Sequence, residues 1–306
     1  MPEQLLLPLR PKPLSDELCS SWLLRLASSS GITLHDLRRL ISPRIRLPNY
    51  DCDLAFGIRQ LEEIANATAT DLETLRCTLL RFEYDAGQGI GWLEAWLLPV
   101  GSDEYTKERL GYQYCPICLG TGIPYFRKLW RFSIINSCIQ HRCQLIDRCR
   151  RCGLPIHGFA IGLLGLEKSW LRDGEPPFLR CTGCGWDLRG APPETVENDV
   201  LAIQGRHEEL LRQTPAGNFN ATDYFWLLKN SANLFAKDLG TVPFEYLTVR
   251  YRSQVLERAD WLLQGGRWRY ISSVCSTARA DMSRPQRKPA GLAALADKPD
   301  QTARTS

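Results

Sequence analysis

Eight of the chain's twelve cysteines crowd into seventy of its 306 residues. They are Cys115, Cys118, Cys138, Cys143, Cys149, Cys152, Cys181 and Cys184, and His141 lies among them. Zinc takes four thiolate or imidazole ligands in a tetrahedron, and a tight Cys-x-x-Cys turn aims two sulfurs at one point. Two such elements complete a site. The first expected set is Cys115, Cys118, Cys138 and His141, and the second is Cys149, Cys152, Cys181 and Cys184. Cys143 is a spare that can stand in for His141. Cys152 and Cys184 are each followed by glycine, which eases the approach of backbone N–H groups to thiolate sulfur. A redox Cys-x-x-Cys would need a βαβ setting that the sequence lacks. Disulfides do not suit a chain expected in a reducing compartment. His157 reads as a surface or packing residue, and the scattered Cys19, Cys52, Cys77 and Cys275 as small buried ones.

Two structural zinc ions would supply folding energy that ribbons this small cannot draw from burial alone. A catalytic zinc keeps an open position and a nearby carboxylate, whereas both sets here close with four protein ligands. The one His-x-Glu, His207 to Glu209, lies outside the cysteine block, and no deaminase-type, phosphate-loop or nucleophile-elbow motif appears. The expectation is a protein that is not an enzyme.

With a hydrophobic share of 44% the chain can build real cores. The longest apolar run, residues 158–166, is far below the ~20 residues that cross a bilayer. The proline-rich start has no apolar leader core. A cytoplasmic protein with no membrane partner is therefore expected. The pattern predicts a mainly α chain with small zinc-ribbon β elements. Residues 1–106 read as a helical region with a helix-turn-helix, 107–195 as a tandem zinc-binding middle, 196–282 as a C-terminal helical bundle and 283–306 as a disordered tail. Expected helices run from a cap at Ser15 or Asp16 to about Ser28, over 34–41, and as a pair within 57–80 whose second member opens on a Thr70 to Glu73 capping box. Three more are expected over 197–213, 222–239 and 244–264, with Val200, Ile203 and Leu210 facing inward on the first and Asn220 or Thr222 capping the second. Short strands are expected over 130–135, 154–156 and 178–179.

The formal charge of +4 hides a division. Residues 1–106 hold 10 basic and 15 acidic side chains, and residues 107–152 hold 9 and 2. In the basic block Arg127, Lys128, Arg131, Arg148, Arg150 and Arg151 are the candidate nucleic-acid contacts, interleaved with Tyr125, Phe126 and Trp130. For the aromatics the favoured reading is packing, with Trp130 and Phe132 over a zinc knuckle while the arginines are the nucleic-acid candidates. The acidic front reads as a docking surface for a basic protein.

Residues 13–27 (PLSDELCSSWLLRLA), 114–132 (YCPICLGTGIPYFRKLWRF), 138–141 (CIQH), 145–153 (LIDRCRRCG) and 181–188 (CTGCGWDL) together resemble the TniQ family, which includes TnsD-type target selectors. The resemblance implies a non-catalytic transposition adaptor. It would couple a target device, either an RNA-guided CRISPR effector complex with its guide RNA or an attachment-site DNA, to a TnsC- or TniB-type AAA+ ATPase and hence to the transposase. It also allows a homodimer. The eight expected ligands carry over residue by residue. The departures are the extra Cys143 and Arg150, where a proline is usual. The competing reading is a stand-alone zinc-containing helix-turn-helix DNA-binding regulator.

Overall fold

The computed structural model describes residues 7–42, 51–81, 95–100, 111–156, 175–213, 219–237 and 243–264. The expected tail 283–306, Cys275, His157, Lys107 and Arg109 lie outside them. The described residues are mainly helical, with short β elements confined to the cysteine region.

Helix α1 (Cys19–Ser29) is buried without a break from Cys19 to Ala27. It is a central helix rather than an amphipathic surface one. The expected cap at Ser15 or Asp16 does not form: Leu18 occupies the cap position with no side-chain cap. The first-turn N–H groups find distant partners instead. Leu18 N donates to Phe126 O at 3.0 Å, Cys19 N to Thr78 O at 3.1 Å and Ser20 N to Asp53 Oδ1 at 2.8 Å. Three other segments thus satisfy the donors that a helix start always leaves over.

Helix α2 (Leu34–Ile41) forms where expected, capped by Thr33, which accepts from Asp36 N at 3.1 Å. After the single turn α3 (Cys52–Ala55) comes the helix pair α4 (Ile58–Thr68) and α5 (Leu72–Arg76). Their connection turns on Ala69 at φ +48°, a left-handed conformation uncommon for a residue with a Cβ. The expected Thr70 box is replaced by Asp71, which accepts from Thr74 N at 2.9 Å. Helix α5 stops at Arg76, so Leu79 and Leu80 are buried from beyond its end. Cys19 and Cys52 are buried as expected, but Cys77 is exposed.

In the middle, α6 (Pro116–Gly120) begins at the first Cys-x-x-Cys. Strand β1 (Ser137–Cys138) pairs antiparallel with β2 (Cys143–Gln144), Cys138 opposite Cys143. The strands expected over 130–135 and 178–179 are not there. Lys128–Arg131 and Pro177–Leu179 are 3-10 turns, closed by Trp130 N to Arg127 O at 3.1 Å and Leu179 N to Pro176 O at 3.1 Å. Aromatic and Leu-rich runs suggested strands, but the proline pair at 176–177 and the local bonds made turns cheaper. Residues 154–156 contribute isolated bridges, Arg148 with Pro155 and Gly111 with Ile156.

The C-terminal segment supplies α7 (Asn198–Gln213), α8 (Phe219–Lys237), a 3-10 turn Phe244–Tyr246 and α9 (Val249–Gln264). Helix α8 begins at Phe219, before both expected caps. Helix α7 is rotated from the expected phase: it buries Leu201, Gln204, His207 and Leu211, leaving Val200, Ile203 and Leu210 half-buried. Edge-on aromatic contacts tie the segments into one core. Trp96 meets Phe225 at 5.9 Å and Phe244 at 6.1 Å, and Phe126 meets Phe178 at 5.2 Å.

Candidate metal centres

The two clusters assemble as the spacing predicts. Cys115, Cys118, Cys138 and His141 bring their ligand atoms together within 4.8 Å of one another, and so do Cys149, Cys152, Cys181 and Cys184. A tetrahedral zinc with Zn–S of ~2.3 Å requires sulfurs about 3.8 Å apart, and sulfur and imidazole nitrogen about 3.5 Å apart. In the first cluster Cys118 and Cys138 Sγ are 3.7 Å apart, and His141 Nδ1 lies 3.5, 3.2 and 3.5 Å from Cys115, Cys118 and Cys138 Sγ. In the second, Cys149 and Cys184 Sγ are 3.7 Å apart, and Cys152 and Cys181 Sγ 3.5 Å. The donor sets and separations fit zinc. Bound there, the ion would fix the loops that carry its ligands.

The backbone reaches the two geometries differently. In the first cluster Cys115 caps α6 with Pro116 at the first helical position, and Leu119 N bonds Cys115 O at 3.1 Å. Proline suits that position because its missing N–H would have no partner there. The β1–β2 hairpin brings in Cys138 and His141, and its turn residue Arg142 holds φ +52°. The second cluster joins two matching knuckles. Gly153 N returns to Cys149 O and Gly185 N to Cys181 O, at 2.8 and 2.9 Å, with φ of +74° and +71°. Glycine is required there because a Cβ disfavours that backbone region.

Cys143 is buried beside the first cluster, its Sγ 3.6 Å from Cys115 Sγ. Sulfur–hydrogen donation from Cys118, Cys138 and Cys143 lowers the pKa of the Cys115 thiol, and the contacts with Cys115 and Cys138 raise that of Cys118. Cys143 falls outside the four-ligand set.

Behind the first cluster lies a buried polar network that the sequence reading missed. Gln204 Oε1 accepts from Asn136 N at 2.8 Å and Ser137 N at 3.2 Å, so α7 holds the strand that delivers Cys138. Arg252, fully buried, donates to Asn136 Oδ1 at 3.2 Å, Gln113 Oε1 at 2.8 Å and Leu247 O at 2.5 Å, and faces Asp147 at 3.6 Å. Burial pushes its guanidinium down to about 10 against the pull of Asp147. One signal was available: Gln204, His207 and Arg252 stand among apolar residues at helical spacing, where a polar side chain needs partners.

The six expected nucleic-acid contacts divide. Arg131 has no exposed side-chain surface: it pairs with Asp51 and, at 3.0 Å, with Asp53. Lys128 is buried and donates to Cys77 O at 2.8 Å. Arg127 pairs with Asp16 at 2.5 Å and stacks 5.0 Å over Tyr125. These three join the acidic front to the basic middle. Arg131 and Lys128 are thereby corrected from surface contacts to internal ones. Arg150 pairs with Glu194 at 2.5 Å, and Arg148 reaches Gly153 O at 3.4 Å. Arg151 is exposed. Trp130 and Phe126 are buried against one another at 5.9 Å, so the packing reading holds for these aromatics. No helix of the described residues is long and apolar enough to cross a membrane.

Among known families, the TniQ model matches residues 8–145, which take in α1 to α6 and the whole first cluster. No curated protein matches the chain.

Proposed function

Since residues 8–145 make the chain a member of the TniQ family, a family of transposition accessory proteins, we propose that it is a non-catalytic adaptor that links target recognition to a TnsC- or TniB-type AAA+ ATPase, and through it to the transposase. The target device in this reading is an RNA-guided CRISPR effector with its guide RNA, or an attachment-site DNA. The observation that carries the reading is the completeness of the clusters: each has four protein donors at tetrahedral separations, with no place kept for a substrate. Zinc at each, the two ions this reading requires, would set the shape of a binding surface rather than a reaction.

The same reading makes α4, α5 and the acidic residues left exposed on the N-terminal region the ATPase-facing side. Asp16, Asp51 and Asp53 are already committed to the basic middle, so the exposed Glu62, and Glu73 beside its helix neighbour Arg76 at 3.2 Å, are the better docking charges. The test is co-purification of the tagged full chain with the AAA+ ATPase of the same transposon, with and without guide RNA and effector complex. Retention of the ATPase, weakened by reversing Glu62 and Glu73, is the expected result. Tight DNA binding with no ATPase retained under any condition would overturn the adaptor in favour of a stand-alone DNA-binding regulator.

A further inference from the structure

The cationic surface that the cysteine block suggested is largely committed internally, and the same accounting turns up a different one. In the C-terminal helices nearly every described cation has a carboxylate. Arg206 pairs with Asp260 at 2.5 Å, Arg212 with Glu208 at 3.1 Å, Lys229 with Glu245 at 2.6 Å, and Arg252 with Asp147 at 3.6 Å. Arg250 and Arg258 are the exceptions among the described residues of α9: both are exposed, and neither has a carboxylate within ion-pair distance. At 100° per residue they share one face with Gln254 and Trp261, and Tyr251 flanks it. Gln254 is exposed, Tyr251 is 41% exposed and Trp261 62%. Of the acidic residues of the helix, Asp260 is buried under Arg206, and Glu257, seven residues on from Arg250 at the edge of the same face, accepts from Ser253 Oγ at 3.3 Å.

The geometry points to this face of α9 as a contact surface for double-stranded DNA. Arg250, Gln254 and Arg258 follow one another at four-residue spacing, and first to third span about 12 Å. A B-DNA major groove is about 12 Å wide and admits an α-helix, and arginine and glutamine are side chains that reach phosphates and base edges there. A-form RNA offers a groove too deep and narrow for this. Two exposed guanidinium groups with no carboxylate within ion-pair distance among the described residues are complementary to a polyphosphate. The inference deepens the targeting half of the adaptor reading and fails separately from it, because it needs no ATPase.

The test uses the full zinc-loaded chain and a fluorescent 30-base-pair duplex of mixed sequence, read by anisotropy across a salt series. The double reversal Arg250→Glu/Arg258→Glu is expected to weaken binding at least about tenfold and to reduce the slope of log K against log salt by about 1.8, since each phosphate contact contributes ~0.9. Arg250→Gln/Arg258→Gln gives an intermediate loss, and an unchanged melt and zinc content show that both variants are folded. ATPase retention by the variants stays as in the parent chain. Unchanged duplex affinity and slope would overturn the assignment. So would a loss confined to single-stranded RNA of equal length, or one confined to an acidic protein partner, with duplex binding intact.

Discussion

The two cysteine clusters share a donor chemistry and differ in the backbone that carries it and in what surrounds them. Every sulfur of the first is buried, and its strand is held from behind by Gln204 of α7 and through Asn136 by Arg252 of α9. The second lies at the periphery. Cys152 is exposed and Cys184 half-exposed, and Cys149 and Cys181 are held by bonds inside their own knuckles. It reaches the core through Phe178 on Phe126 and the outside through ion pairs of Arg180 and Arg189 with Glu175 and Asp187. The same donor chemistry therefore serves as a keystone in one place and a clip in the other. An ion under a core is coupled to the global fold, whereas one that closes a surface loop is coupled to that loop.

The largest expected effect comes from breaking one ligand in each cluster. Cys118→Ser should cost the first ion and several kcal/mol of stability, enough to leave little soluble chain. Cys152→Ser should cost only the second ion and shift the main melt by a few degrees. Zinc stoichiometry and thermal melts check both, and equal losses would erase the distinction. Next is Gln204→Ala, which leaves the Asn136 and Ser137 N–H groups without their acceptor. Roughly 1–3 kcal/mol per unsatisfied group is at stake, felt at the first site although no ligand changes. Gly153→Ala and Gly185→Ala are smaller. Each forces a Cβ into left-handed backbone at about 1–2 kcal/mol, and the expected readout is faster loss of the second ion to a chelator with the core melt nearly unmoved.

The last effect is in pH. His207, buried on α7, is held down to about 4, chiefly by burial and against the attraction of Asp260. Its folded value lies below its unfolded one, so the stability it contributes is present above pH ~6.5 and lost as pH falls through about 4. Asp53 works the opposite way. Burial first, then Asp51, raises it to about 6, so its contribution declines as pH rises through that value. The difference between parent and His207→Gln melts isolates the histidine: the variant should lose less stability than the parent between pH 6.5 and 4. Parallel melting curves would show that His207 contributes no such pH-dependent stability.

Much of this was legible in the sequence for one reason: metal ligands declare themselves by residue type and spacing. The eight candidate ligands come together in two groups of four, α2 forms over the expected residues, and the three C-terminal helices form with shifted starts. What stayed hidden depends on partners distant in the chain. The cap of α1 is supplied by Thr78, Phe126 and Asp53, so no local Ser or Asp could reveal it. Charge was the most deceptive signal. The basic block suggested a polyanion, and the acidic front suggested another protein. Arg127 and Arg131 instead meet Asp16, Asp51 and Asp53 inside the fold. Charge opposition between two segments of one chain is as well explained by their contact with each other. Only burial separates the two explanations.

In the proposed adaptor both clusters are closed and shape the surface on which partners meet. Cobalt substitution tests that closure most directly. Two tetrahedral, thiolate-bound ions per chain are expected, with visible spectra that do not change when azide or cyanide is added at concentrations that leave the metal in place. A spectrum of higher coordination, or one that shifts as a small anion enters the coordination sphere of either ion, would show an open position and contradict it.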